Sequence, residues 1–156
     1  MNITAGKILL FACMSLILLL PSCAPKKIRI YDLLSEGVRG EVVQTALAQE
    51  GKKYRLGNRG PDYFDCSGLV YYSYRRAGIL VPLTAEAQGR FGAEIPRNNV
   101  QPGDLVLFKI KNDDHVGIML GASDFIHASK SRGVAVDSIN LPYWRRYLTG
   151  FRCVVY

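Results

Sequence analysis

Cysteine is scarce, with four residues in a chain of 156. That is too few to staple a small scaffold that lacks a core, so the fold has to rest on buried apolar side chains. Long apolar runs are missing as well. Ile8 to Leu20 gives 13 residues, interrupted by Ser15, where a stable membrane-spanning helix needs roughly 20. Low-complexity tracts and internal repeats are absent, which excludes collagen-like and mucin-like chains. The composition, 49% hydrophobic and 21% charged, is that of an ordinary globular protein rather than a disordered one. Neither sign of charge is concentrated in a block. The formal charge of +7, from 20 Lys plus Arg against 13 Asp plus Glu, favours contact with polyanions but does not choose among nucleic acid, anionic lipid and cell wall. The length fits one domain with a short appendage.

The appendage is N-terminal. Lys7 and the free amine precede the apolar run, which has the length and flanks of a secretory signal rather than of a folded helix. The run ends in Leu20-Pro21-Ser22-Cys23, which resembles a bacterial lipobox. Residues 1–22 are therefore expected to be a lipoprotein signal peptide and Cys23 the lipidated residue, anchored by its acyl chains. Ala24 follows, without the aspartate of retained lipoproteins, so the expected location is the outer membrane, facing the periplasm. Residues 23–39, with Pro25, two adjacent lysines and Ser35-Glu36-Gly37, read as a lipid-anchored tether, and residues 40–156 as the domain.

Within the domain, Val42, Val43, Ala46 and Leu47 recur at helical spacing, which predicts a helix over 40–50 ended by Gly51. Residues 52–64 are rich in Gly, Asn, Pro and Asp and read as a loop. A second helix is predicted from Cys66 to Ala77, with Asp65 as N-cap and Gly78 beyond its end. Thr84 caps a shorter third helix, 85–91. The pattern then changes to short β-rich runs at 105–108, 115–120, 124–128, 133–138 and 151–156. Helices followed by a run of strands predict an α+β fold, with N-terminal helices packed on a small antiparallel sheet.

Cys66 falls where a helix begins. The unpaired N–H groups and the positive end of the dipole there are expected to lower its pKa. A cysteine nucleophile needs a base to take its proton and return it to the leaving group, and imidazole serves near neutrality. The chain has two histidines, His115 and His127. If Gly121 to Ser123 form a three-residue hairpin loop, Gly117 pairs with His127, and the two histidines become diagonal neighbours on one sheet face. A loop one residue longer would put them on opposite faces.

Asp65-Cys66-Ser67-Gly68-Leu69-Val70, Pro102-Gly103-Asp104-Leu105-Val106-Leu107-Phe108, His115-Val116-Gly117-Ile118 and Phe125-Ile126-His127-Ala128-Ser129 resemble, in this order, the motifs of the NlpC-type cell-wall peptidases. These are papain-like cysteine peptidases of bacteria. The resemblance implies Cys66 as nucleophile, His115 as base and His127 as the residue orienting it. It further implies that Tyr54, Asp65 and Ser67 line the site and bind a peptide N-terminus. The implied substrate is the peptidoglycan stem peptide, cut at the γ-D-glutamyl–diaminopimelate bond or at a crosslink. The family usually carries a Gly-Gly pair shortly after the tyrosine, where this chain has Gly57-Asn58.

Other features have plainer readings. Cysteine with two histidines is one ligand short of a zinc site, and no C-x-x-C or H-x-x-x-H pair is present, so no metal and no cofactor are expected. Cys153 reads as a buried small apolar residue; a Cys66–Cys153 disulfide would abolish the nucleophile. Tyr71, Tyr72 and Tyr74 read as core and groove wall, Asp104 as a turn former, and Trp144 and Tyr147 as packing a turn against the sheet. Arg75-Arg76 and Arg145-Arg146 read as solvated faces, and Asp113-Asp114 lacks the spacing of a calcium loop. The expected partners are stem peptides, the membrane through the lipid, and an adaptor lipoprotein, with no nucleic acid and the protein a monomer. Two rivals stay open: a papain-like amidase or acyltransferase on another substrate, and a non-catalytic wall-binding lipoprotein.

Overall fold

The structure is a computed structural model that describes residues 37–156. The signal segment, Cys23 and the tether up to residue 36 lie outside the described residues. Helix α1 (Gly37–Leu47) begins three residues ahead of the expected start and ends three before the expected end. Short strands β1 (Lys53–Tyr54) and β2 (Tyr63–Phe64) form a parallel pair inside the expected loop. Helices α2 (Cys66–Arg76) and α3 (Ala85–Gln88) follow. Then come β3 (Ala93–Ile95), β4 (Leu105–Ile110), β5 (Asp113–Met119), β6 (Asp124–Ser129), β7 (Gly133–Ser138), α4 (Pro142–Tyr147) and β8 (Leu148–Cys153).

Strands β3 to β8 make one six-stranded antiparallel sheet in the order β3-β8-β4-β5-β6-β7. Alternation along the strands sorts the apolar residues onto two faces. Leu105, Val116, Ile118, Ile126, Ala128 and Val134 pack beneath α1 and α2 against Val42, Val43, Ala46, Leu69, Val70 and Tyr74. Val106, Phe108, Met119, Phe125 and Phe151 face the other way and are covered by Trp144 of α4. Helices packed on a small antiparallel sheet are the expected α+β architecture. Trp144 and Tyr147 pack against the sheet as expected, but from the short helix α4 rather than a turn, and edge strand β3 was not among the expected elements.

The caps behave as the sequence suggests. The Asp65 side chain accepts the Gly68 N–H, and that of Thr84 accepts the Ala87 N–H. Gly78 holds φ +79°, where any side chain would be strained, while Ile79 N–H bonds back to Tyr74 C=O in a Schellman closure. Tyr74 is wholly buried and its hydroxyl donates to Gly103 C=O, so the ring fills the core without an orphaned polar atom. At the far edge, Gly51 N–H bonds to Val134 C=O and Val134 N–H to Lys52 C=O, which fastens the start of the 52–64 segment to β7.

Arg39, expected in the tether, is instead built into the domain. Its Nη1 donates to Asp104 Oδ1 at 2.7 Å and to Pro102 C=O at 3.0 Å, and its Nη2 lies 3.1 Å from Cys153 Sγ and also donates to Val155 C=O. Asp104 is 1% exposed and Arg39 19%. Asp104 does form the expected turn, since Oδ2 accepts the Gln101 N–H at 2.7 Å. It is also the buried anion that fixes the first helix to the sheet. Removing one partner of such a pair strands a charge where water cannot reach it. Arg39→Ala is expected to lower the unfolding free energy by about 3 kcal/mol in urea titration, and Asp104→Asn combined with it to recover part of that loss.

Candidate active site

Cys66 stands at the first turn of α2, and the residues around it are locked by one carboxylate. Asp65 Oδ1 accepts the Gly68 N–H at 2.7 Å and the Ser67 hydroxyl at 3.1 Å, while Oδ2 accepts the Gly57 N–H at 2.6 Å. Asp65 thus ties the 55–64 loop to the start of the helix. The approach is close: a Cβ on Gly68 would lie 2.0 Å from the Asn58 carbonyl oxygen, which accepts the Asp65 N–H. Of the Gly57-Asn58 pair, only Gly57 has a positive φ, +76°. The second glycine usual in the family is therefore not required by the backbone here.

His115 on β5 and His127 on β6 come together as the three-residue loop requires. The register pairs Ile118 with Ile126 and Met119 with Phe125, and Leu120 N–H bonds to Asp124 C=O, leaving Gly121 to Ser123 as the loop. Continued by one pair, it sets Gly117 opposite His127. A side chain at 117 would meet the Phe125 ring at 2.7 Å and His127 Cβ at 3.3 Å, so the glycine makes room for the imidazole. His115 Nε2 lies 2.9 Å from His127 Nδ1, with the rings nearly perpendicular at 84°.

Two residues of this cluster escaped the sequence reading. Asp137 on β7 pairs with Phe125, two places from His127, so the alternation of the β6–β7 hairpin places it on the same face. Its Oδ2 lies 3.1 Å from His127 Nε2 and accepts the Trp144 indole N–H at 2.9 Å and an Arg132 N–H. Trp144 lies almost parallel to His115, 21° apart with centroids at 5.6 Å, and edge-on to His127. The parity that relates the histidines, carried one hairpin further, would have found Asp137. No comparable signal marks Trp144, which reaches the site only through the path of the 139–141 turn and α4.

A cleft of about 840 Å³ is lined by all six predicted site residues, Tyr54, Asp65, Cys66 and Ser67 from one side and His115 and His127 from the other. Among the influences on the Cys66 thiol is the backbone N–H of Val116, the residue after His115. Cys66 and Cys153 are both free thiols.

The electrostatics differ from expectation. Burial pushes the Cys66 thiol up from its ordinary value, and the backbone N–H groups of Val116, Ser67 and Cys66 offset this only in part. The helix N-terminus does help the thiolate, but desolvation outweighs it. His115 is pushed down to about 3 by burial first and then by the neighbouring His127 and Lys130. Both directions favour the uncharged forms, a neutral thiol and a neutral imidazole lining the same cleft. Tyr54 is raised by burial and by the neighbouring Cys66 and Asp65, so its hydroxyl keeps its proton.

A helix bearing a cysteine at its N-terminus, laid against an antiparallel sheet that presents a histidine pair to the same cleft, is a papain-like domain. Residues 51–153 match the NlpC/P60 family, and the chain belongs to that family. Over 111 residues it is 37% identical to the murein DD-endopeptidase MepS/murein LD-carboxypeptidase of Escherichia coli K12, covering 70% of this chain and 59% of that protein. It is 40% identical over 116 residues to the gamma-DL-glutamyl hydrolase of Bacillus subtilis 168, covering 71% of this chain and 28% of that one. Among solved structures, a lipoprotein-like NLP/P60 family protein of Staphylococcus aureus Mu50 superposes with a TM-score of 0.69 at 31% identity, over 79% of this chain and 44% of the other.

A neutral resting pair has a distinct pH signature. Iodoacetamide labelling of Cys66, followed by intact mass, is expected to rise through a midpoint above the ordinary thiol value of 9.0. Neutral His115 persists below its ordinary value of 6.5. Any catalytic profile should therefore keep its acid limb below pH 6.5 and its alkaline limb above pH 9. A labelling midpoint near neutrality would mean that the dipole, not burial, governs the thiol.

Proposed function

We propose that this protein is a peptidoglycan endopeptidase that cleaves amide bonds of stem peptides through an acyl-enzyme on Cys66. The observation that carries the proposal is the join of a helix-N-terminal thiol to the 2.9 Å imidazole pair in one cleft. His115 Nε2 is engaged by His127, which leaves Nδ1 to exchange protons with the thiol. As Cys66 Sγ attacks the carbonyl carbon, its proton passes to His115 Nδ1. The developing oxyanion is met by the Cys66 backbone N–H at the head of α2, with the protonated Tyr54 hydroxyl as a second donor. His115 then gives the proton to the leaving amine and the C–N bond breaks. Water, losing a proton to His115, attacks the thioester. The acid product departs, and the thiol regains its proton.

Asp65 and Ser67 suit recognition of a free peptide N-terminus. The Asp65 carboxylate already accepts bonds on both oxygens, so its contribution to an ammonium group is its charge rather than an unused acceptor. The two curated relatives carry names for different bonds, a DD or LD bond in one and a γ-glutamyl bond in the other. We take the bond to be γ-D-glutamyl–diaminopimelate or a crosslink, with the product masses to decide. A Cys23 lipid anchor would hold the domain at the outer membrane beside this substrate, as a monomer within reach of an adaptor lipoprotein.

Digestion of purified muropeptides, monomeric and crosslinked, is expected to give new fragments by mass spectrometry, and Cys66→Ala to reduce their rate by at least about 1,000-fold. No fragments from either class would remove the hydrolase. Cys23→Ala is expected to shift the protein from the membrane pellet to the soluble fraction, and a pellet unchanged by this substitution would remove the anchor.

A further inference from the structure

We infer that Asp137, held by Trp144 and Arg132, is a positioning residue that fixes the protonation pattern of both imidazoles and so makes His115 Nδ1 the proton acceptor for Cys66. The inference rests on the proposed roles of Cys66 and His115. A neutral imidazole has one N–H and one acceptor nitrogen. The line from carboxylate to thiol therefore has only two neutral arrangements.

In the first, His127 Nε2–H donates to Asp137 Oδ2, and His115 Nε2–H donates to His127 Nδ1. His115 Nδ1 is then unprotonated and can take the thiol proton. In the second, each proton sits on the other nitrogen. His127 Nε2 would then turn a lone pair toward a carboxylate oxygen 3.1 Å away, and His115 would carry its proton on Nδ1, the nitrogen that in the proposed reaction takes the thiol proton. A carboxylate can only accept, so Asp137 excludes the second arrangement. A doubly protonated His127 would also satisfy Asp137. Burial, the largest influence on His127, opposes that charge and keeps the ring neutral, although Asp137 favours it.

The surroundings keep Asp137 ionised and still. Its side chain is 9% exposed. Its partial burial works against the charge, but hydrogen bonds from His127, Arg132 and Trp144 outweigh this and pull it down to about 2. Trp144 links the two ends of the line, since its N–H is on Asp137 while its ring lies along His115. When His115 takes the thiol proton, the new positive charge is two hydrogen bonds from a fixed negative one. Arg132, 52% exposed, competes for the same oxygen and weakens that attraction.

Two substitutions should therefore act in opposite directions on the alkylation of Cys66 by iodoacetamide at pH 7, where reaction depends on the small thiolate–imidazolium population. Asp137→Asn is expected to slow it about 10- to 100-fold, less than loss of a residue bonded to the base itself. Arg132→Gln is expected to speed it about two- to threefold, as befits a partly screened surface charge. Nitrogen-15 NMR of the wild-type protein should show His127 as the Nε2–H tautomer. Unchanged alkylation in folded Asp137→Asn, or an Nδ1–H tautomer for His127, would overturn the inference. If Asp137→Asn does not fold, Trp144→Phe keeps the ring and removes only its donor. Slowing in Trp144→Phe with speeding in Arg132→Gln would support the inference, and no change in both would overturn it. These readouts need no wall substrate. A protein that cuts no muropeptide yet shows them loses the proposed function alone.

Discussion

Side chains on a strand alternate between faces, so a hairpin loop sets more than the distance between its strands. In this domain the loop from Gly121 to Ser123 fixes the register by which His115 and His127 meet on one face. One residue more or less would turn His127 into the core under α1 and α2 and bring an aliphatic neighbour to the site. Much else follows from that register. Gly117 has to be bare because His127 lies across from it, and Phe125 packs beside the ring. The next hairpin carries the same parity onward and delivers Asp137 to the far nitrogen.

The other half of the site is governed by a competition. Asp65 ties the 55–64 loop to the start of α2, and Leu56, Gly57 and Arg59 of that loop line the cleft with Cys66. The backbone donors around the sulfur favour a thiolate, and the burial that positions those donors disfavours it. Burial prevails, so Cys66 is held as a neutral thiol. For the proposed reaction, polar groups fixed by the fold would be in place before substrate arrives.

Much of this was legible in the sequence because it is local. Asp65, Thr84 and Gly78 announce helix ends through short-range hydrogen bonds, and the histidine pairing follows from counting along one hairpin. What was not legible depends on chain paths. Helix α4 has six residues and no side-chain cap, and it buries only Trp144, too little for a periodic signal. Strand β3 has three residues, and its place at the sheet edge comes from pairing with β8, more than fifty positions away. Arg39 reads as part of the tether because the carboxylate that holds it, Asp104, lies 65 positions away in sequence. The sequence points the thiol pKa downward, and the structure upward, for a related reason: the helix end is a local feature, whereas burial is a property of the whole fold.

Arg39 also joins the two ends of the described domain. The same guanidinium that holds Asp104 reaches Val155, so the chain enters and leaves at one spot, among residues that take no part in the cleft. A unit wired in this way is a cassette. Sequence joined at either end would leave from residues outside the groove. The matched segment fills 59% of one relative and 28% of another, as such portability would allow.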